Sequence, residues 1–162
     1  MKYISYSLWG DNKAYFNGLI KCIEVNKSIY PEWKNIIYFD ELINPRWIEI
    51  LGDLEVRLEE CAKYNEWDGL YWRFKVFDLN DCEAAIVRDT DSPSTERECE
   101  LVKKWLKSDK SLHIIRDHPA HDMPIMGGMW GYKGMGNINM KRCISKWKWK
   151  HFKGTDQHFL RK

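Results

Sequence analysis

Two aspartates one residue apart follow a run of small and β-branched apolar residues in Ala84-Ala85-Ile86-Val87-Arg88-Asp89-Thr90-Asp91-Ser92. The four apolar residues predict a buried strand, and Arg88 breaks the run. In an extended segment side chains at i and i+2 share a face, so Asp89 and Asp91 are expected to converge where the strand leaves the core. Two carboxylates held together repel unless a proton or cation lies between them. Oxygen-only ligands suit a hard ion such as Mg²⁺ or Mn²⁺, which keeps waters and binds substrate phosphates. The same residues would also serve as an Asx-turn leading into a helix.

Three later stretches carry further chemistry. Arg116-Asp117-His118-Pro119 follows an apolar run. Met123-Pro124-Ile125-Met126-Gly127-Gly128-Met129-Trp130-Gly131 places paired glycines beside an aromatic ring. Paired glycines let a backbone turn tightly or approach a ligand closely, and Trp130 could stack on a sugar ring. A tight turn between core segments is the structural alternative. From Tyr132 to Lys153 there are six Lys and one Arg with no acid, interleaved with Trp147, Trp149 and Phe152. Such a run binds nucleic acid or an anionic membrane face, or is a partly buried element with solvated cations.

The elements that must position these residues alternate. Tyr3–Leu8 predicts a strand ended by Gly10. A helix capped by Asp11 or Asn12 follows, with Phe16, Leu19, Ile20 and Ile23 at helical spacing and Pro31 closing it. Asn35–Phe39 predicts a second strand, and Pro45 opens a helix through Trp47, Ile48 and Leu51 to Gly52. Leu54, Val56 and Leu58 alternate as a third strand. Trp67, Leu70, Tyr71, Phe74 and Phe77 predict another helix before the Ala84 strand. Thr95 and Glu98 form a capping box for a helix through Leu101, Val102, Trp105 and Leu106. Leu112–Ile115 predicts one more strand. This alternation implies an α/β fold with a mainly parallel sheet and helices on both faces, read as one domain over residues 1–162. Ligands bind beyond the carboxyl ends of such strands, which brings 8–12 and 88–92 to one edge.

Composition narrows the class. A formal net charge of +2 gives no global reason to expect nucleic acid. Nine Trp, eight Tyr and six Phe fill a core or face flat ligands. No stretch approaches the ~20 apolar residues of a membrane span. Five scattered cysteines with no CxxC pair read as free core thiols in a reducing compartment. With no charged leader and apolar core at the start, a cytoplasmic location is expected.

Together, Ile4–Asn12, Trp72-Arg73-Phe74, Ile86–Ser92, Arg116–Pro119, Gly127–Gly131 and Asp156-Gln157-His158-Phe159-Leu160 resemble a nucleotide-sugar-dependent glycosyltransferase of the GT-A type. The group they are most similar to is the small glycosyltransferases of bacteria and large DNA viruses. The resemblance spans nearly the whole chain and implies a single-domain, Rossmann-like GT-A fold. It implies that Asp89-Thr90-Asp91 is a DxD motif holding Mn²⁺ or Mg²⁺ and the diphosphate, with Arg88 beside it on the donor. It further implies that Ser7, Leu8 and Trp9 on to Tyr15 hold the base and ribose, and that Arg73 faces the donor. Gly127 and Gly128, with His118 and Trp130, would line the sugar and acceptor site. Asp156 and Gln157 resemble a late pair near the donor sugar in retaining members. Related sequences carry Arg where this chain has Pro93. Many take a third metal ligand, often His, from beyond the late pair, a place that His158 or water would fill here.

The implied reaction moves a sugar from a nucleoside diphosphate, with uridine diphosphate as the common family choice, to a glycan or other hydroxyl acceptor. A divalent ion neutralises the leaving diphosphate. Inversion needs a carboxylate base, with Asp117, Asp122 and Asp156 as candidates. Retention would place Gln157 near the anomeric carbon, and retention is the expectation. No nucleic-acid partner is expected, and contact with a membrane surface is compatible with the basic run. Two other readings stand beside this one. A degenerate module would bind nucleotide or glycan without turnover. An aspartyl phosphatase would want Thr or Val where Pro93 stands, and a fuller sheet after the motif.

Overall fold

The computed structural model describes residues 1–116, 118, 119, 121–134, 136, 138–148 and 152–162. Six strands form one sheet in the order β3-β2-β1-β4-β6-β5. They are β1 (Lys2–Leu8), β2 (Lys34–Phe39), β3 (Arg57–Glu60), β4 (Ala84–Val87), β5 (Leu112–Ile114) and β6 (Trp130–Lys133). The pairs β1–β2, β1–β4 and β2–β3 are parallel, whereas β6 runs antiparallel to both β4 and β5. The mainly parallel α/β sheet expected from the alternation of elements is therefore present.

Side-chain alternation divides the core between the two faces of the sheet. Ile4, Tyr6, Leu8, Ile37, Ala84 and Ile86 pack with Phe16, Leu19 and Ile23 of α1 (Lys13–Ile29), Trp47 of α2 (Pro45–Gly52) and Val102 and Trp105 of α4 (Glu96–Lys107). Tyr3, Ile36, Tyr38, Ala85 and Val87 face the other side. There they meet Tyr71 and Trp72 of α3 (Gly69–Trp72), Phe74 and Phe77 of a 3₁₀ helix, η1 (Arg73–Asp78), and Met140 of α5 (Met140–Lys146). Phe159 of α6 (Thr155–Leu160) packs on this second core. Local signals set several helix starts. The Asn12 side chain accepts from the Ala14 N–H at 2.9 Å, Asn44 caps α2 ahead of Pro45, and Thr95 and Glu98 form a reciprocal capping box.

Four expectations are corrected. The third strand begins at Arg57, because Glu55 adopts φ 58° and breaks the extended path; Leu54 and Val56 pack on the core beside it. The helix expected from Trp67 to Phe77 is split into α3 and η1. Two β1 serines take up backbone groups of Arg73: the Ser7 hydroxyl accepts from its N–H at 2.9 Å and the Ser5 hydroxyl donates to its carbonyl at 2.6 Å. The segment after Gly128 is a strand, β6, and not only a turn. The expected strand over Leu112–Ile115 ends at Ile114. Four cysteines lie in the core, and Cys143 is exposed. Among the described residues no helix is long and apolar enough to cross a membrane.

Candidate active site

A cavity of about 1350 Å³ opens at the carboxyl ends of β1 and β4, the edge that the topological rule selects. β1 contributes Ser7 and Leu8, the loop after it Trp9, Gly10, Asp11 and Asn12, and the first turn of α1 Tyr15; the turn after β4 delivers Asp89, Thr90 and Asp91. His118, Asp122, Gly127, Lys153, Asp156 and Gln157 also line it.

The chain leaves its strand at Val87, and the Ser92 N–H returns to the Asp89 carbonyl at 3.3 Å. The acids therefore stand on a turn and not on the extended segment expected, yet both reach the cavity. Asp91 is exposed and forms no ion pair among the described residues. Asp89 is half-exposed, and its Oδ1 receives Nη1 of Arg73.

Arg73 ties the floor together. Its side chain is 6% exposed, its Nη2 lies 2.9 Å from Oδ2 of Asp156, and its Nη1 also reaches the Arg88 carbonyl at 3.2 Å. Burial opposes the guanidinium's charge, and Asp89 and Asp156 outweigh it, so its pKa is raised. The backbone of Arg73 is gripped by Ser5 and Ser7, which makes this arrangement stiff. Asp156 opens α6, whose start is set by Tyr71. The Tyr71 hydroxyl donates to Oγ1 of Thr155 at 2.9 Å and accepts from Nε1 of Trp147 at 2.8 Å.

The paired glycines lie against this ion-pair cluster. A Cβ on Gly127 would overlap the Asp156 carboxylate and come within 2.7 Å of Arg73 Nη2. A Cβ on Gly128 would overlap the Asp89 carboxylate. Any side chain at either position would displace the acids, so the close approach the glycines allow is to this cluster. On the opposite side of the cavity, a Cβ on Gly69 would strike the Trp9 ring, whose edge also meets Trp72 at 6.3 Å between centroids.

Three expected site residues lie elsewhere. Arg88 is fully buried beneath the turn. Its Nη2 pairs with Glu98 at 2.9 Å, and its Nη1 reaches the carbonyls of Val87 and Gly128 at 3.1 and 3.3 Å. It supports the acid turn from below. Trp130 is 2% exposed and packs on Phe74 and Phe77, so its ring is core and cannot stack on a sugar. Pairing of β6 with β4 turns that ring inward. Gly128 borders the cluster without lining the cavity. Asp117, and with it Trp149 of the basic run, lies outside the described residues. Asp156 reaches the cavity, but its carboxylate is 3% exposed and turned to Arg73, which leaves it poorly placed as a base. Asp122 is exposed to the cavity, and Gln157 is half-buried in its wall.

The sequence did not mark Trp67, Leu70, His121 or Lys153 as site residues, yet all four line the cavity. Lys153 belongs to the basic run, and His121 lies three residues after His118, with the two rings 5.4 Å apart. Among the described residues no three His, Cys, Asp or Glu side chains form a ready metal cage. Two neighbouring carboxylates, one of them unpaired, suit an ion that takes its other ligands from water and phosphate oxygens.

No family model matches the sequence, and no curated protein matches it. Among solved structures, the fold is similar to that of a mannosyltransferase from Pyrobaculum calidifontis, PcManGT, in complex with GDP-Man and Mn²⁺. The TM-score is 0.60 at 11% identity, over 98% of this chain and 50% of that one. This chain thus spans about half the length of that enzyme, and the two share a glycosyltransferase Rossmann-like fold.

Proposed function

We propose that this chain is a metal-dependent glycosyltransferase domain of the GT-A type, moving a sugar from a nucleoside diphosphate to a hydroxyl acceptor. One observation carries the reading: the unpaired Asp91 carboxylate and the Arg73-bridged pair Asp89–Asp156 lie together in a large cavity beyond β1 and β4. Asp91 and the remaining oxygen of Asp89 would hold Mn²⁺ or Mg²⁺. The ion would supply charge neutralisation to the leaving diphosphate. Trp9, Tyr15, Ser7 and Leu8 would hold the nucleoside, and Arg73, its side chain held by Asp89 and Asp156, would orient the sugar–phosphate end.

The donor base is taken to be uridine, with guanosine as the alternative that PcManGT's GDP-Man suggests. The acceptor hydroxyl would enter from the His118, Asp122 and Lys153 side. Retention is the reading kept here, with Gln157 beside the anomeric carbon. Proton NMR of the first-formed product reports its anomeric configuration, and an inverted product would call for a carboxylate base, with Asp117 and Asp122 as the candidates.

Thermal melts test the donor site. At about 100 times its dissociation constant a ligand stabilises by about 2.7 kcal/mol, a rise of roughly 5–10 °C for a domain of this size. Uridine or guanosine diphosphate with Mn²⁺ should produce that rise, and Asp91→Asn should abolish it while leaving the unliganded melting point unchanged. No rise with either nucleotide, or an equal rise in the variant, overturns the assignment. A rise without sugar transfer or donor hydrolysis would mark a binding module.

A further inference from the structure

Charge is segregated along this chain. Residues 1–131 carry 17 Lys and Arg against 23 Asp and Glu, whereas residues 132–162 carry nine against one, and that one is the buried Asp156. The helices of this end, α5 and α6, pack as one layer on the second core. α5 contacts η1, α6 contacts α3, and Trp147 after α5 meets Phe159 of α6 at 5.9 Å between centroids. On this layer Lys141, Arg142, Lys146, Lys148, Lys153 and Arg161 are exposed, and none forms an ion pair among the described residues. Asp78 of η1 and Asp68 before α3, on the elements this layer packs against, are engaged with backbone. Asp78 accepts from the N–H groups of Met140 and Lys141 at 2.7 Å, and Asp68 accepts from those of Tyr64 and Asn65 at 2.8 and 3.0 Å.

We infer that the α5–α6 layer docks on an anionic membrane surface, with the cavity mouth at its margin. Long cations spread over a layer, with an exposed aromatic among them, suit lipid headgroups. Phe152, 42% exposed, supplies that ring, and its neighbour Lys153 lines the cavity. Single-stranded nucleic acid fits less well. It needs several open rings on which bases stack, whereas Trp147 and Phe159 pack against each other and Tyr71. The docking stands on charge and placement alone. Its consequence, an acceptor presented from a lipid, rests on the proposed function.

Vesicle co-sedimentation of the full chain tests the inference, with phosphatidylcholine alone and with about 30 mol% phosphatidylglycerol. The protein should bind the anionic vesicles, release them at high salt, and ignore the neutral ones. Lys141→Glu/Arg142→Glu/Lys146→Glu changes only exposed α5 positions outside the cavity, and should weaken binding more than about tenfold. Its melting point, and the metal–nucleotide rise where the parent has one, should stay in place. Should the charge reversal unfold the chain, the corresponding triple Gln variant takes its place, with a smaller loss expected. Equal binding to neutral vesicles, unchanged binding of the variant, or displacement of vesicles by single-stranded RNA would overturn the inference. The melts report on the donor site without lipid, so failure of either reading is seen separately.

Discussion

Arg73 is one guanidinium serving two carboxylates of different standing. Asp89 is half in water and would keep its hydration without a partner, but Asp156 is 3% exposed and would not. Removing one member of a buried ion pair leaves an uncompensated charge, which costs about 3–5 kcal/mol. Arg73→Met is therefore expected to lower the urea unfolding free energy by about 3 kcal/mol, and Arg73→Met/Asp156→Asn to recover much of that. A merely surface role for Arg73 would leave both variants near the parent. The sequence marked Arg73 as facing the donor through its resemblance. That it also holds Asp156 was not legible, because the two residues are 83 positions apart.

At the level of elements, the acid turn is braced by α4. Glu98 serves twice, capping its own helix at Thr95 and pairing with Arg88 beneath the turn. The capping box was readable because its residues are three positions apart and chemically reciprocal. The second role was not, since Arg88 in sequence is simply a cation beside two acids. Arg88→Met and Glu98→Leu should each destabilise by about 3 kcal/mol, and the double variant by clearly less than their sum. Denaturant unfolding of the four proteins measures the coupling. Strict additivity would mean that the pair does not act as a unit. A smaller metal–nucleotide rise in Arg88→Met would further show that the brace matters to the turn.

For the whole molecule, acid is the expected weakness. His113 of β5 lies against Trp105 of α4, 5.2 Å between centroids, and its Nε2 is buried with no hydrogen-bond partner among the described residues. Burial, and then the charge of Arg88, push its pKa down from 6.5 to about 4. A group depressed in this way stabilises the fold fully above its unfolded value. The contribution is lost as pH falls from about 6.5 towards 4, because the unfolded chain binds the proton first. The melting point should therefore drop over that interval, and His113→Phe, which keeps a ring against Trp105, should lose less. An equal pH slope in the variant would assign the loss to carboxylates instead.

The sequence alone determined features whose causes lie within a few residues of one another. These are the periodic faces of α1, α2 and α4, a cap at Asp11 or Asn12, the cap at Thr95, and the apolar run that ends in paired acids. Together with the rule that ligands lie beyond carboxyl strand ends, they were enough to place Trp9 and Asp91 at one edge. Tertiary structure alone decided that β6 enters the sheet beside β4 and carries Trp130 into the core. It also decided that Arg88 turns inward, and that serines 66 and 68 residues away break a helix at Arg73. Each of these depends on groups far apart in the chain. Their contacts form only once loop closure has brought the ends together, so no local pattern records them.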